Sequence, residues 1–573
     1  MHELIQISEP TQEVKRTTGV LFVAPPYHKD PKSSRNSLDD SGMNQEIPRG
    51  ALSVATLLSR DGFPAEVAPM DAFLRSIDIV DDPEEYFDPT VNEYTRDLEH
   101  SEHTRDLERE VIREGFDEVV LHTLQQLIEK NDPKVICFSY MFLPERPAVR
   151  KMVSFVREKY PDKVIVIGGN AATFDDRELL DPAKFGADVI VNYEGEWTME
   201  ELMKELDNAN GNIGQVDLSR IKGISYWDKE QDKAVTNAIR ERGNPEEVGA
   251  INYDLVTLPM GGSISDFNLS ALLERGCLGS CVFCSSPKMW KHKITGIGLK
   301  NFKTELENIA KFVSERKEGE KTIGLFDDDI LLELNGVPIF EIMRPVLQEI
   351  RAKYPNVSFV VQTRVSHLRG DLDPDLTKAP TGKGLNTPAN SLLRNSPEVL
   401  RQMKECGIDL VLLGAETFSQ AILDSINKQT RPEWVRNACL LLREAGIKIG
   451  MFYIVGLPGS TPERERESLE ILRQLVEEGL IDELETHVFV PLPGSAAQMS
   501  ERIRRTMKLD PDIYIKGPAL INEDPGYEYI NPETGQVVFS KAQITAIYRE
   551  TQALAALLRT RQAMKGESSV IKS

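Results

Sequence analysis

Residues Glu274–Cys284 read ERGCLGSCVFC, three thiols at CxxxCxxC spacing with glycines at 276 and 279. The stretch Ser270–Arg275 predicts a strand, so the cysteines fall in the loop that leaves its C-terminal end. Gly276 and Gly279 let that loop turn tightly enough to wrap a ligand. Thiolates are the soft ligands that iron–sulfur clusters require, and a cubane usually takes four of them, so three leave one iron open. A zinc site is the competing reading and would want a fourth Cys or His, with His292 downstream as a candidate. Unrelated buried thiols are the third reading. The position of the loop at a barrel mouth weighs for the cluster.

That barrel is read outward from the motif. Strands are predicted at Ser270–Arg275, Thr322–Asp327, Ser358–Thr363, Asp409–Leu413, Lys448–Ile454 and Glu483–Phe489. Helices are predicted between them at Thr304–Ser314, Ile339–Lys353, Pro397–Glu405, Glu433–Glu444 and Pro462–Glu478. Six consecutive strand–helix units describe a partial (β/α)6 barrel, whose site belongs at the C-terminal ends of its strands. Upstream, Gly19–Ala24, Ala65–Met70, Val135–Tyr140, Val164–Gly168 and Ala187–Asn192 are apolar runs with helices between them. This rhythm predicts a Rossmann-like, doubly wound parallel sheet, and the fold class is α/β. The expected organisation is a tail at 1–16, a Rossmann-like domain at 17–220, a linker at 221–260, the barrel at 261–500 and a small helical C-terminal region at 501–573. A charged insertion at about 81–113 carries TRDLE twice and reads as a solvated helical excursion. The segments 370–395 and 513–536 are expected to cover the barrel mouth.

The chain has 573 residues, 40% of them hydrophobic and 28% charged, which suits a multidomain soluble protein. No apolar run approaches a membrane span, and the N-terminal residues do not read as a signal peptide. A net charge of -23 argues against a sequence-independent nucleic-acid binder. Six cysteines, three of them in one motif, do not form a disulfide framework, so a cytoplasmic location is expected. Cys137, Cys406 and Cys439 read as core thiols, and the scattered tryptophans as packing residues.

The motif CxxxCxΦC, with Phe283 before the third cysteine, resembles the signature of the radical S-adenosylmethionine superfamily, and the resemblance runs on through the barrel. It implies a [4Fe-4S] cluster on Cys277, Cys281 and Cys284 whose open iron is chelated by S-adenosylmethionine, with cleavage to a 5′-deoxyadenosyl radical. LFDDDILLE at Leu325–Glu333, QTRVSHL at Gln362–Leu368, LGAETFS at Leu413–Ser419, GLPGST at Gly456–Thr461 and FVPLPGS at Phe489–Ser495 resemble the segments at successive strand ends. The resemblance assigns S-adenosylmethionine contacts to Phe283, Asp327, Gln362, Glu416, Gly456 and Pro491. An external flavodoxin- or ferredoxin-like electron donor is implied.

A Rossmann-like sheet directly before such a barrel resembles the cobalamin-dependent subgroup. The pieces that carry this are LFVAPPYH at Leu21–His28, IPRGALSVATLLSRDGFPAEVAPMD at Ile47–Asp71, ICFSYMF at Ile136–Phe142, VIGGNAATF at Val166–Phe174 and ADVIVNYEGEWTMEEL at Ala187–Leu202. They fall at strand C-termini, where an open α/β sheet binds its ligand. The implied cobalamin contacts are Pro26, Tyr27, Arg49, Ser139, Tyr140, Met141, Gly168, Gly169, Asn170, Glu194 and Gly195. The DxHxxG pattern that supplies a histidine to cobalt is missing, so cobalt is expected without a protein imidazole. The resemblance implies a methyltransferase in which methylcobalamin delivers a methyl group to a carbon or phosphorus of a small-molecule or peptide substrate. Oxidative cyclisation or ring rearrangement with the same cofactors is the alternative, followed by a radical enzyme without cobalamin and by a non-catalytic iron–sulfur protein.

Overall fold

The computed structural model describes residues 16–26, 47–72, 118, 120–142, 145–174, 177–259, 261–316, 319–334, 337–368, 397–510 and 525–565. The expected insertion at 81–113 and loop at 370–395 lie outside these residues, as do Tyr27, His28 and residues 513–524 of the expected 513–536 segment.

The first sheet contains β1 (Val20–Ala24), β2 (Ala65–Pro69), β3 (Val135–Ser139), β4 (Val164–Gly168), β5 (Val189–Val191), β6 (Ile224–Asp228) and β7 (Lys233–Thr236). Their spatial order is β2-β1-β3-β4-β5-β6-β7, with the first five parallel. The order 2-1-3-4-5 places a switch point between β1 and β3, where an open α/β sheet leaves a crevice at its strand C-termini. Helix α1 (Arg49–Arg60) is buried at every position from Ala51 to Leu58. A helix buried over so much of its length needs cover on both sides. Here the sheet and α3 (Glu196–Asn208) flank it, and Arg49 at its first turn reaches the second domain. Helix α2 (Arg146–Lys159) covers the opposite face of the sheet, where a separate apolar cluster forms.

The second sheet is the expected barrel portion: six parallel strands adjacent in chain order. Its strands are β8 (Ser270–Ala271), β9 (Thr322–Leu325), β10 (Ser358–Arg364), β11 (Ile408–Glu416), β12 (Lys448–Val455) and β13 (Glu483–Val488). The helices between them are α4 (Leu299–Ser314), α5 (Ile339–Lys353), α6 (Pro397–Glu405), α7 (Pro432–Glu444) and α8 (Pro462–Glu477). Thr461 caps α8 by accepting from Arg464 N, with Pro462 and Glu463 in the first turn, which fixes where that helix starts. A third, antiparallel sheet of β14 (Met507–Leu509), β15 (Tyr527–Ile530) and β16 (Val537–Phe539) precedes α9 (Lys541–Met564). That long helix packs on β13 and covers the outer edge of the barrel sheet.

The stretch expected as a linker, 221–260, is built into the first domain over its described residues 221–259. β6 and β7 extend the sheet past β5 as an antiparallel hairpin, and the chain then crosses to the opposite edge, where Thr257 N donates to Val67 O at 2.8 Å. It straps the sheet at both edges. One apolar cluster runs without a break from β1, α1 and α3 into the barrel, so the two domains share a core. Cys137, Cys406 and Cys439 are free and buried, as core thiols.

Candidate functional site

Alternate residues of a strand share a face. On β10 the inward set continues from Val360 to Gln362 and Arg364, and on β11 from Leu410 and Leu412 to Gly414 and, across a bulge, Glu416. The polar members of each set lie towards the C-terminal end, beside the cysteine loop. There Cys277, Cys281 and Cys284 are all partly accessible. A Cβ on Gly279 would sit 3.2 Å from Cys277 Sγ and 4.0 Å from Cys281 Sγ, so these two sulfurs flank one glycine whose bare Cα leaves them room. Among the described residues no three His, Cys, Asp or Glu side chains converge tightly enough for a single metal ion. A cubane instead takes one thiolate per iron, from sulfurs spread around it, and the loop fits that demand. Burial pushes the Cys277 thiol up to about 12 and Cys284 to about 11, so their deprotonation accompanies iron binding.

The loop is held from several directions. Val282 N donates to Ile426 O at 3.0 Å, Asn427 Nδ2 donates to Ser280 O at 3.2 Å, and Ala497 N donates to Val282 O at 2.7 Å. From the first domain, Asn170 Nδ2 donates to Ser285 Oγ at 3.1 Å. Two cations absent from the sequence-derived set stand here. Arg364 donates to Lys428 O, and its Nη1 is 3.0 Å from where a Gly279 Cβ would be. The buried Lys428 pairs with Glu416 at 2.6 Å and lies 5.7 Å above the Phe283 ring. Burial works against its charge, yet the Glu416 carboxylate and Cys281 outweigh it and raise the Lys428 pKa. Glu416 itself has φ 64°, in the left-handed region, and Lys428 sits between Asn427 and Gln429 with φ 54° and 55°.

Three assigned residues have other duties. The buried Asp327 accepts from Leu273 N and Glu274 N at 2.9 and 2.7 Å, tying β9 to the chain just before the cysteines rather than facing a cofactor. Gln362 Nε2 donates to Asp327 O at 3.0 Å. Gly456 is enclosed, not open to a ligand. Its N donates to Glu465 Oε1 at 2.8 Å, and its carbonyl accepts from Tyr527 and Tyr529 at 3.0 and 2.9 Å. Its φ of 77° and the 2.4 Å separation of a would-be Cβ from the Tyr527 hydroxyl both require glycine. Pro491 is buried beyond β13.

Burial raises the Glu465 carboxyl to about 7 against its bonds from Ser460 and Gly456. A carboxyl whose folded pKa is raised stabilises the fold most below its ordinary value, and that contribution is lost as pH rises through about 7. Glu465→Gln is therefore expected to gain stability over the natural protein between pH 5 and pH 8, on the order of 2 kcal/mol. Thermal unfolding across that range measures it, and a difference independent of pH would contradict it.

A cavity lies between the domains at the switch-point end of the first sheet. Phe22, Ser139, Met141, Gly168, Gly169, Asn170, Glu194 and Gly195 line it from the first domain, and Leu272, Arg275, Ser285, Ser286, Met289 and Trp290 from the cysteine loop and its flanks. Gly169 has φ 113°, and a Cβ there would sit 2.3 Å from Tyr140 O, so the backbone is exposed to the cavity at a position closed to other residues. Pro26 and Tyr140 do not line it. Both are buried, and the Tyr140 side chain lies in the apolar cluster on the far face of the sheet. Arg49 lines it, but its guanidinium is held by Glu305 (Nη2 to Oε2 3.0 Å) and by Ser270 O at 3.1 Å, joining the two domains. Glu194 accepts from Arg242 Nε at 2.7 Å. Trp290, expected as packing only, lines the cavity with Arg242 5.1 Å over its ring. Arg275, two positions before Cys277, donates to Glu196 at 2.6 Å and to Ser53 at 2.9 Å. Burial alone would raise the Glu196 carboxyl, but Arg275 and Ser53 outweigh it and hold it below the usual carboxylate range.

The model of the radical SAM superfamily matches residues 273–472, and that of the B12 binding domain matches residues 42–203. The chain joins a B12 binding domain to a radical SAM domain, the two-domain order of cobalamin-dependent radical S-adenosylmethionine enzymes. Its cofactors are a [4Fe-4S] cluster, S-adenosylmethionine and cobalamin. The solved methyltransferase TsrM from Kitasatospora setae, with cobalamin and a [4Fe-4S] cluster bound, aligns over 94% of this enzyme and 91% of that chain at 15% identity and TM-score 0.57, a likeness of fold. Among curated relatives, an anaerobic magnesium-protoporphyrin IX monomethyl ester cyclase of Cereibacter sphaeroides is 29% identical over 317 residues, 54% of this enzyme and 44% of the relative. A second such cyclase, from Rubrivivax gelatinosus, is 25% identical over 57% of this enzyme and 52% of its own length. The enzyme thus spans about half the length of these two relatives. The hopanoid C-3 methylase of Methylococcus capsulatus is 24% identical over 73% of this enzyme and 71% of the relative. Among the described residues no helix is long and apolar enough to cross a membrane.

Proposed function

We propose that the enzyme is a methyltransferase that modifies a carbon or phosphorus atom of a small-molecule or peptide substrate. The observation that carries this reading is the cavity between the domains: the glycines of the first domain and the residues immediately after Cys284 line one space, which supports a cobalamin seat next to the cluster loop. When bound, the cluster supplies the electron that cleaves S-adenosylmethionine, and cobalamin supplies a cobalt centre that carries a methyl group.

The chain's own groups then have distinct tasks. Cys277, Cys281 and Cys284 would hold three irons of the cluster. Phe283, Lys428 and Glu416 form a stacked, charge-paired wall beside the cysteine loop, where Lys428 would suit the carboxylate of S-adenosylmethionine and Glu416 its ammonium or ribose hydroxyls. Gly168, Gly169 and Gly195 admit a bulky planar ligand, with Ser139, Met141 and Asn170 at its edge. An external one-electron reductant is required.

The likeness to the hopanoid methylase over most of both chains supports methyl transfer. The likeness to the magnesium-protoporphyrin ester cyclases supports a second reading, oxidative cyclisation with the same cofactors. Anaerobic, reconstituted enzyme assayed for bound corrin, 5′-deoxyadenosine and S-adenosylhomocysteine separates them. Both nucleoside products in step with substrate methylation are expected. 5′-Deoxyadenosine without S-adenosylhomocysteine would favour cyclisation.

The clamp on Gly456 gives a finer test. If the loop after β12 borders S-adenosylmethionine, removing both hydroxyls in Tyr527→Phe with Tyr529→Phe frees the Gly456 carbonyl and loosens that loop. A roughly tenfold weaker KM for S-adenosylmethionine, at nearly unchanged cluster content, is the expected result. An unchanged KM would detach the C-terminal sheet from cofactor binding.

A further inference from the structure

The segment that leaves the cysteine loop, Pro287–Ile294, reads PKMWKHKI and holds no acidic residue, in a chain whose net charge is -23. Lys288, Lys291, His292 and Lys293 in it are all exposed. No carboxylate lies within ion-pair distance of Lys288, Lys291 or Lys293 among the described residues. The first two are instead seated on aromatic rings, Lys288 5.1 Å over Phe174 and Lys291 5.3 Å over Tyr193. Lys291 and His292 both have positive φ, 54° and 53°, so the backbone doubles back and presents successive cations on one bulge. The Lys288 ammonium also reaches Met499 Sδ, which brings in the exposed Arg502 and Arg504 of the following turn.

This basic face is part of the cluster loop's own scaffold. The helical turn Ser286–Met289 starts two residues after Cys284. At the other end of the segment, a Cβ on Gly276 would be 1.9 Å from Lys293 O, so Lys293 packs directly against the residue before Cys277. A protein seated on these lysines stands beside the loop that carries the cysteines.

Local charge opposite to the sign of the whole chain selects a partner by steering and orientation more than by affinity. We propose that Lys288, Lys291, His292 and Lys293, extended by Arg502 and Arg504, form the docking face for an acidic one-electron carrier protein of flavodoxin or ferredoxin type. On this face the reduced carrier loses one electron and the oxidised cluster gains it, with no bond or proton transferred. The proposal rests on the cluster assignment above.

The test uses reconstituted holoenzyme and the triple variant Lys288→Glu, Lys291→Glu, Lys293→Glu, with a glutamine triple as a milder second variant. Reduced flavodoxin and dithionite serve as alternative donors. Cluster bleaching is followed by stopped flow, and flavodoxin binding by fluorescence anisotropy at low and high salt. Flavodoxin should bind and reduce the reversed variant at least about tenfold more weakly and slowly at low salt, with the gap closing at high salt, while dithionite reduces both proteins alike. The glutamine triple should fall between. Flavodoxin binding and reduction equal to the natural protein's, in variants with a full cluster, would overturn the docking face. So would an equal loss in a control with the same reversals at the exposed Lys222, Lys229 and Lys233 in and around the β6–β7 hairpin, because that would reduce the effect to net charge. Natural protein that forms no cluster at all would instead overturn the cluster assignment.

Discussion

Cys281→Ala is expected to lower 5′-deoxyadenosine formation by roughly 10³-fold or more while cobalamin binding survives. Cys281 and Cys277 flank Gly279, and with Cys284 they are the three thiols of this loop. Two thiolates cannot hold a cubane with a single open iron, so the variant should lose the broad iron–sulfur absorbance and the S-adenosylmethionine-dependent change in its electron paramagnetic resonance. The cavity assigned to cobalamin is lined by Ser285, Ser286 and Trp290 and by no cysteine of the motif, which is why corrin binding serves as the internal control for folding. A variant that still cleaved S-adenosylmethionine near the natural rate would remove Cys281 from the cluster. Loss of corrin together with the cluster would instead mean that the loop and the first domain form as one unit.

The parts of this architecture legible in the sequence are those with a local cause. The barrel strands alternate with amphipathic helices of ordinary length, and α5 and α6 fall where their periodicity predicts, because burying each apolar stripe against the sheet agrees with local propensity. The cysteine loop is legible for the same reason: spacing and glycines encode it without help from distant residues. The strap at 221–260 has mixed strand and turn character and so reads as a link; it joins the sheet because β6 pairs antiparallel with β5 and β7 with β6, contacts that no local pattern announces.

Site roles divide along the same line. Asp327 and Gln362 sit at strand ends, as their motifs imply, but only the fold shows that they bond backbone groups of neighbouring segments. Glu416 and Lys428 are separated by a helix in sequence and meet because the chain returns beside the barrel mouth. The one available signal was a lysine flanked by polar residues just after an apolar helix, and that pattern ordinarily marks a solvated loop. Arg275 had a stronger signal, a charge in a predicted buried strand immediately before the motif, since a buried charge requires a partner.

That partner makes Arg275→Met the substitution with the largest expected structural cost. Its guanidinium joins the strand before Cys277 to Glu196 and Ser53 of the first domain, with Glu194 3.7 Å away. Removing it leaves Glu196 buried and charged, supported by the Ser53 hydroxyl, whose Oγ is 2.6 Å from it. A loss of roughly 3–5 kcal/mol is expected. Glu196→Gln should cost less, because Glu194 still faces Arg275. The double variant removes both charges and should recover a large part of the loss, giving a coupling energy well above 0.5 kcal/mol in the cycle. Chemical denaturation of the four proteins measures it. The same bond sets how the cysteine loop faces the cavity, so any Arg275→Met protein that folds should make 5′-deoxyadenosine out of proportion to S-adenosylhomocysteine. Additive single effects, or an unchanged product ratio, would mean that the two domains keep their register through the shared apolar core and the Arg49–Glu305 pair alone.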